Sequence, residues 1–210
     1  MSSPIPPTPV EEWLADRLST KRPDGGPSGA VRVLRRIGRL DRAAYEAVAE
    51  MPTPQLDSLL RRISDFADFS KPWLLVAGGL ALFGGAHGRR AALTGLAAIG
   101  LTSFVINQPM KLIGNRGRPR RTRLGVPESR WVRMPSSTSF PSGHSASAAA
   151  FAASVGRVLP GLRLPLRAAA MIVAFSRVYT GVHYPGDVVV GATIGSLLGR
   201  VAAALALRRP

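Results

Sequence analysis

"VVVGATIGSLLGRVAAALAL", residues 188–207, is a run of 20 residues that is almost wholly apolar. A helix rises about 1.5 Å per residue, so about 20 helical residues cross the roughly 30 Å hydrocarbon core of a bilayer. Within the run, Gly191, Gly195 and Gly199 recur every four residues. That spacing lines small residues along one face, where a second helix backbone can approach closely, and we read it as a packing feature. Working back along the chain, four more apolar stretches cover residues 72–86, 91–108, 145–159 and 166–182, separated by loops rich in Arg, Gly and Pro. The stretches at 72–86 and 145–159 are short for a full crossing. Five in succession nevertheless argue against a soluble domain. The fold class expected is all-α: a membrane-embedded helical bundle of about five transmembrane helices with amphipathic N-terminal helices.

The overall hydrophobic fraction of 46% conceals this division, because the polar residues are gathered elsewhere. Residues 1–30 are rich in Pro, Ser and Gly and are expected to be a flexible segment. Residues 31–71 hold two amphipathic stretches, the juxtamembrane part of the chain. In one, Leu40, Ala44, Val48 and Met51 recur at helical spacing. In the other, Leu56, Leu59, Leu60, Ile63 and Phe66 do so, after Thr53 as a cap and Pro54 in the first turn. Arginines on the polar faces suit either a membrane surface or packing against the remaining domain, residues 72–210. The first residues lack the apolar core of a secretory signal peptide. Cysteine is absent, which removes disulfides, thiolate nucleophiles and Cys-ligated metals. A formal charge of +16 suggests a polyanionic partner.

Three polar clusters interrupt the apolar pattern: "KLIGNRGRP" at 111–119, "PSGH" at 141–144 and "SRVYTGVHYPGD" at 176–187. Ionisable groups beside membrane spans are costly, so each is a candidate for function. Successive spans alternate in direction. The ends of the second and fourth therefore share a membrane face with the starts of the third and fifth, and all three clusters meet there. The face collects Lys111, Arg118, Arg177, His144, His183 and Asp187, an inventory suited to a dianionic phosphate. Arg118 and Arg177 offer planar forks to phosphate oxygens and Lys111 a point charge. Ser142 and Gly143 stand before a helix whose free N–H groups favour an anion. His144 is placed to protonate a leaving oxygen. Asp187, four residues after His183, is spaced to fix its tautomer and leave the other ring nitrogen free to attack phosphorus. Nothing in this set calls for a metal.

These stretches resemble the signature of the type 2 phosphatidic acid phosphatase superfamily, K-x6-R-P, P-S-G-H and S-R-x5-H-x3-D, with no departure at any fixed position. The resemblance implies a metal-independent, cofactor-free phosphatase working through a phosphohistidine. In it His183 is the nucleophile, Asp187 its partner and His144 the general acid. Lys111, Arg118, Ser142, Gly143 and Arg177 bind the phosphate. It also implies an integral membrane protein, expected in a bacterial plasma membrane, acting on a lipid phosphate. Phosphatidate, phosphatidylglycerol phosphate and polyprenyl-linked phosphates all qualify, among them decaprenylphosphoryl phosphoribose in cell-wall arabinan synthesis. A vanadium haloperoxidase shares the signature but is soluble. A non-catalytic binder of anionic lipid is the other class, and nucleic acid is disfavoured because no basic patch interleaved with aromatics exists. His87 is expected to face solvent. Arg120, Arg121 and Arg123 are expected to act at lipid headgroups, in topology, or on an acidic substrate headgroup. Basic residues crowd the active face, so the positive-inside rule points to the cytoplasm, whereas many relatives work on the outer face.

Overall fold

The computed structural model describes residues 29–110 and 114–208, apart from the Asn107 side chain. Lys111 and nearly all of the segment 1–30 lie outside the described residues. Among the described residues seven α-helices carry the fold: α1 Gly29–Ala49, α2 Pro54–Phe66, α3 Lys71–Phe83, α4 Gly85–Val105, α5 Gly143–Val158, α6 Arg163–Tyr179 and α7 Pro185–Leu207. Helices α3 to α7 are the five apolar stretches. Between α3 and α4 the chain turns at Gly85, whose φ of 59° lies in the left-handed region open to glycine. Helix α4 therefore begins earlier than the apolar pattern suggests and takes in His87, which is exposed as expected.

Helix α4 with the wide turn Ile106–Met110 that continues it runs for 26 residues, and α7 for 23; both are long and apolar enough to cross a membrane. Helix α3, at 13 residues, reaches that length only together with α2, from which it is bent by 69°. Leu82, Phe83, Leu93, Phe104, Met171, Val189, Leu197 and Leu205 are all exposed on these helices. An apolar surface of that extent is unstable in water and is at home against lipid tails.

The amphipathic segments do fold as helices, but their packed faces differ from the apolar stripes read in the sequence. Helix α1 buries Val31, Tyr45 and Ala49, while Leu40 and Met51 stay exposed. Tyr45 decides this rotation, because its ring packs 5.3 Å from that of Tyr184 at the start of α7. Helix α2 buries Leu60 with the polar Asp57 and Ser64, leaving Leu56, Leu59 and Phe66 exposed. Pro54 opens α2 as expected, whereas Thr53 makes no side-chain cap. Its hydroxyl instead pairs with Tyr179 Oη at 2.9 Å, a partner 126 residues away.

At the centre, Trp73 and Phe151 stack with ring centroids 5.5 Å apart among Ala91, Ala92, Val155 and Val173. Helices α5 and α7 form the closest pair in the bundle. Added Cβ atoms at Gly191, Gly195 and Gly199 would lie 2.4, 2.0 and 2.3 Å from the carbonyl oxygens of Ser142, Ala146 and Ala150. The small-residue face is thus pressed directly against the α5 backbone, as the spacing predicts. Gly195→Val is expected to cost at least about 2 kcal/mol, because the obstacle is main chain that cannot rotate away. Gly78→Ala, with nothing within 4 Å, is expected to be neutral. Thermal unfolding in detergent checks both.

Candidate active site

Local rules explain how α7 starts. Pro185 sits in its first turn, where the missing N–H costs nothing. Asp187, three residues into the helix, reaches back so that Oδ2 accepts the Tyr184 backbone N–H at 3.0 Å. The same oxygen accepts from the Ser139 hydroxyl, and Oδ1 accepts from Arg116 Nη1 at 2.9 Å. His183, one residue before this cap, is buried with its Nδ1 3.6 Å from Asp187 Oδ2 and 3.4 Å from Ser139 Oγ. Its Nε2 lies 3.2 Å from Arg118 Nη1. A guanidinium only donates, so Nε2 must accept and the ring proton belongs on Nδ1. The Nε2 lone pair of His183 therefore points at Arg118, from which it accepts.

His144 and Gly143 open α5, whose first-turn N–H groups have no intrahelical acceptor. His144 Nε2 is 2.8 Å from Asp68 Oδ1. A carboxylate only accepts, so that nitrogen carries a proton. Asp68 stands at the elbow between α2 and α3. Two consecutive non-glycine residues there, Phe69 and Ser70, hold φ values of 56° and 59°. Such backbone is strained and marks a position the surroundings impose.

Arg118, Gly143, His144 and His183 line one cavity of about 180 Å³, with Phe69, Ser70, Thr102 and Ile106 among its other walls. Two imidazoles from sequence-distant segments thus face a shared space. The Thr102 hydroxyl in that wall is buried and has no hydrogen-bond partner among the described residues. Burial, reinforced by the nearby Arg118 and Arg177 cations, pushes the His183 ring down to about 4 despite the opposing pull of Asp187. Burial likewise lowers Arg118 to about 10, which leaves it charged near neutrality.

The remaining candidates are placed differently. Asp187 lies behind His183 rather than in the cavity wall. The Ser142 hydroxyl caps α5 through Ser145, and its N–H donates to the Asp187 carbonyl at 3.0 Å. Ser142 therefore ties α5 to α7. Arg177 is buried outside the cavity wall, with Nη1 donating to Ser64 O at 2.9 Å and Ser64 Oγ at 2.6 Å. Its Nε is buried with no partner among the described residues. Arg121 corrects an expectation of headgroup contact, since it is buried and donates to Val132 O at 2.8 Å as a brace within its loop. Asp68, Arg116, Ser139 and Thr102 were not singled out from sequence. None occupies a fixed motif position, and a single Asp, Arg, Ser or Thr carries no periodic signal.

Residues 73–209 match the PAP2 superfamily. The chain is 33% identical over 150 residues to the decaprenylphosphoryl-5-phosphoribose phosphatase of Mycobacterium tuberculosis, covering 70% of this chain and 79% of that protein. Among solved structures, the transmembrane PAP2 type phosphatidylglycerolphosphate phosphatase of Bacillus subtilis superposes with a TM-score of 0.64 at 22% identity, over 95% of this chain and 94% of that one. Aquifex aeolicus LpxE superposes with a TM-score of 0.63 at 22% identity, over 79% of this chain and 95% of its own.

The His183 ring makes stability depend on pH. Its folded-state value near 4 lies below the ordinary 6.5, so between these values the unfolded chain binds more protons. Stability then rises with pH across that window and falls as acid is added. The melting temperature in detergent is expected to drop from pH 6.5 towards pH 4.5, and His183→Gln to flatten that dependence. Identical slopes in both proteins would show that the ring titrates as an exposed one does.

Proposed function

The chain belongs to the PAP2 superfamily, and from that premise we propose that it hydrolyses the phosphate monoester or diphosphate of a membrane lipid through a phosphohistidine intermediate. His183 Nε2 attacks phosphorus as the bond to the lipid oxygen breaks, and His144 gives that oxygen its proton. Water then attacks the phosphorus with His144 as base. The N–P bond breaks, inorganic phosphate leaves, and the Nε2 lone pair is restored. Asp187 keeps the ring proton on Nδ1 during the attack and stabilises the positive charge that develops there.

Charge in the transition state spreads over the equatorial phosphate oxygens. Arg118 and the Gly143 N–H reach these oxygens from the cavity wall. Arg177 is assigned to the same anion from behind it, its buried Nε, unpaired among the described residues, being a donor that an oxygen would satisfy. Lys111 is assigned by its motif position, as is Ser142, whose contribution is to hold the α5 terminus where Gly143 and His144 present themselves. The observation that carries the proposal is the shared cavity between the His183 lone pair and His144.

The resemblance to the mycobacterial phosphatase favours a polyprenyl-linked sugar phosphate among lipid substrates. A long polyprenyl chain suits the apolar flank formed by Phe69 and Ile106 at the cavity. The bundle is then an integral protein of a bacterial plasma membrane, with the lipid tail in the bilayer and the phosphate at its surface.

Phosphate release by the detergent-purified protein from a panel of lipid phosphates, with EDTA present, tests this. His183→Ala is expected to lose at least about 1,000-fold in rate, the scale of losing a nucleophile that works with its partners. His144→Ala is expected to lose about 100- to 10,000-fold on a lipid phosphate. The second loss should shrink on p-nitrophenyl phosphate, whose leaving oxygen needs no proton. Release by His183→Ala at the wild-type rate removes the proposed nucleophile.

A further inference from the structure

Arg116 lies two residues before Arg118 and outside every fixed position of the signature. Its side chain nevertheless reaches the carboxylate behind the proposed nucleophile. Nη1 donates to Asp187 Oδ1 at 2.9 Å, and Nη2 meets Asp41 Oδ2 at 2.6 Å. The guanidinium also lies 4.0 Å from the centre of the Tyr184 ring. Asp41 belongs to α1, and its other oxygen accepts the Gly186 N–H at 2.6 Å. Side-chain exposures of 12% for Arg116, 9% for Asp41 and 0% for Asp187 mean that little water shares these charges. One cation is clamped between two carboxylates, immediately under the start of α7.

The arrangement matters because Asp187 has two opposite effects on His183. It orients the ring, which the reaction needs. Its negative charge also invites a second proton onto Nε2, and a protonated imidazole has no lone pair with which to attack. Arg116 binds the carboxylate oxygen turned away from His183 and offsets that charge without disturbing the oxygen that faces the ring. Arg118 and Arg177 also oppose protonation of His183. His144 and Asp68 lie on the far side of the site, and Lys111 is outside the described residues.

We propose that Arg116, clamped between Asp41 of α1 and Asp187 of α7, is a positioning residue that fixes the Asp187 carboxylate and keeps His183 unprotonated. Helix α1 thereby takes part in preparing the nucleophile, although it lies outside the matched family segment. The proposal rests on the reading of His183 as nucleophile.

The test is the pH dependence of kcat/KM for p-nitrophenyl phosphate and for a lipid phosphate, measured on the detergent-purified full chain. For Arg116→Met the acid limb is expected to move up by about one pH unit, the scale set by a nearby charge. Relative to activity at pH 7.5, activity should then fall about two-fold further at pH 5 and about five-fold further at pH 4. Arg116→Lys keeps the charge but not the fork, so its limb is expected to stay in place while kcat falls several-fold. Asp41→Asn frees the cation without removing it, and the same pattern is expected. A slowed Arg116→Met enzyme with an unmoved acid limb overturns the proposal, because a purely structural brace would behave that way. If Arg116→Met does not fold, wild-type kcat in both Arg116→Lys and Asp41→Asn overturns it instead. A wild-type chain that releases phosphate from no substrate sinks the proposed function as well, whereas an active one with an unmoved limb sinks only the part given to Arg116.

Discussion

Helices α5 and α7 touch backbone to backbone, and the site follows from that contact. Three glycines one turn apart on α7 meet three carbonyl oxygens one turn apart on α5. Side chains larger than hydrogen at those positions would force the helices apart. With none present, the two helices run side by side in a single register, which sets the start of α5 against the first two turns of α7. The Ser142 N–H then reaches the Asp187 carbonyl at 3.0 Å. His144 follows Ser142 by two residues and His183 precedes Asp187 by four, so both imidazoles come to the same end of the bundle. Lipid supplies no hydrophobic drive for helix association, and close backbone packing takes its place.

Around this pair the chain buries an unusual amount of charge for an apolar bundle. Arg116, Arg118, Arg121, Arg130 and Arg177 are all largely sequestered, and each has an acceptor from a segment remote in sequence, which for Arg121 is the Gly181 carbonyl at 3.4 Å. Arg130, for example, ties Asp57 of α2 at 2.9 Å and takes the Met51 carbonyl at 2.6 Å beyond the end of α1. Burying such groups is costly unless every donor is paired. The pairing explains why α1 and α2 sit where they do. Their apolar stripes are left outward, while their polar residues, Asp41, Asp57 and Ser64, are drawn inward as partners for the arginines. An amphipathic helix normally packs by its apolar stripe. Here that stripe has a lipid environment available to it, and the unmet demand lies with the buried cations.

The five apolar stretches, their order and the end at which the polar clusters meet were readable from hydropathy and the alternation of helices. His144, His183, Arg118 and Gly143 carry their positions in motif spacing, and the structure brings them to one cavity. Asp41, Asp68, Arg116 and Ser139 had no such signal. Asp68 meets His144 across 76 positions and Asp41 meets Gly186 across 145. A contact between residues that far apart leaves no periodicity in either segment. The fine division of labour was equally hidden, since Ser142 as a helix tie and Arg177 as a ligand of Ser64 depend on which neighbours arrive.

Composition and periodicity alone were enough to determine that this chain is a helical bundle seated in lipid, with a phosphate-suited set of side chains at one face. Those properties follow from local rules: the length of an apolar run, the spacing of small residues, and the order of motifs along alternating helices. Only the tertiary structure decided the rotation of α1 and α2, the tautomer of His183 and the clamp behind Asp187. Each of these is settled by competition for a limited number of buried hydrogen-bond partners. That competition has no outcome until the whole bundle is assembled.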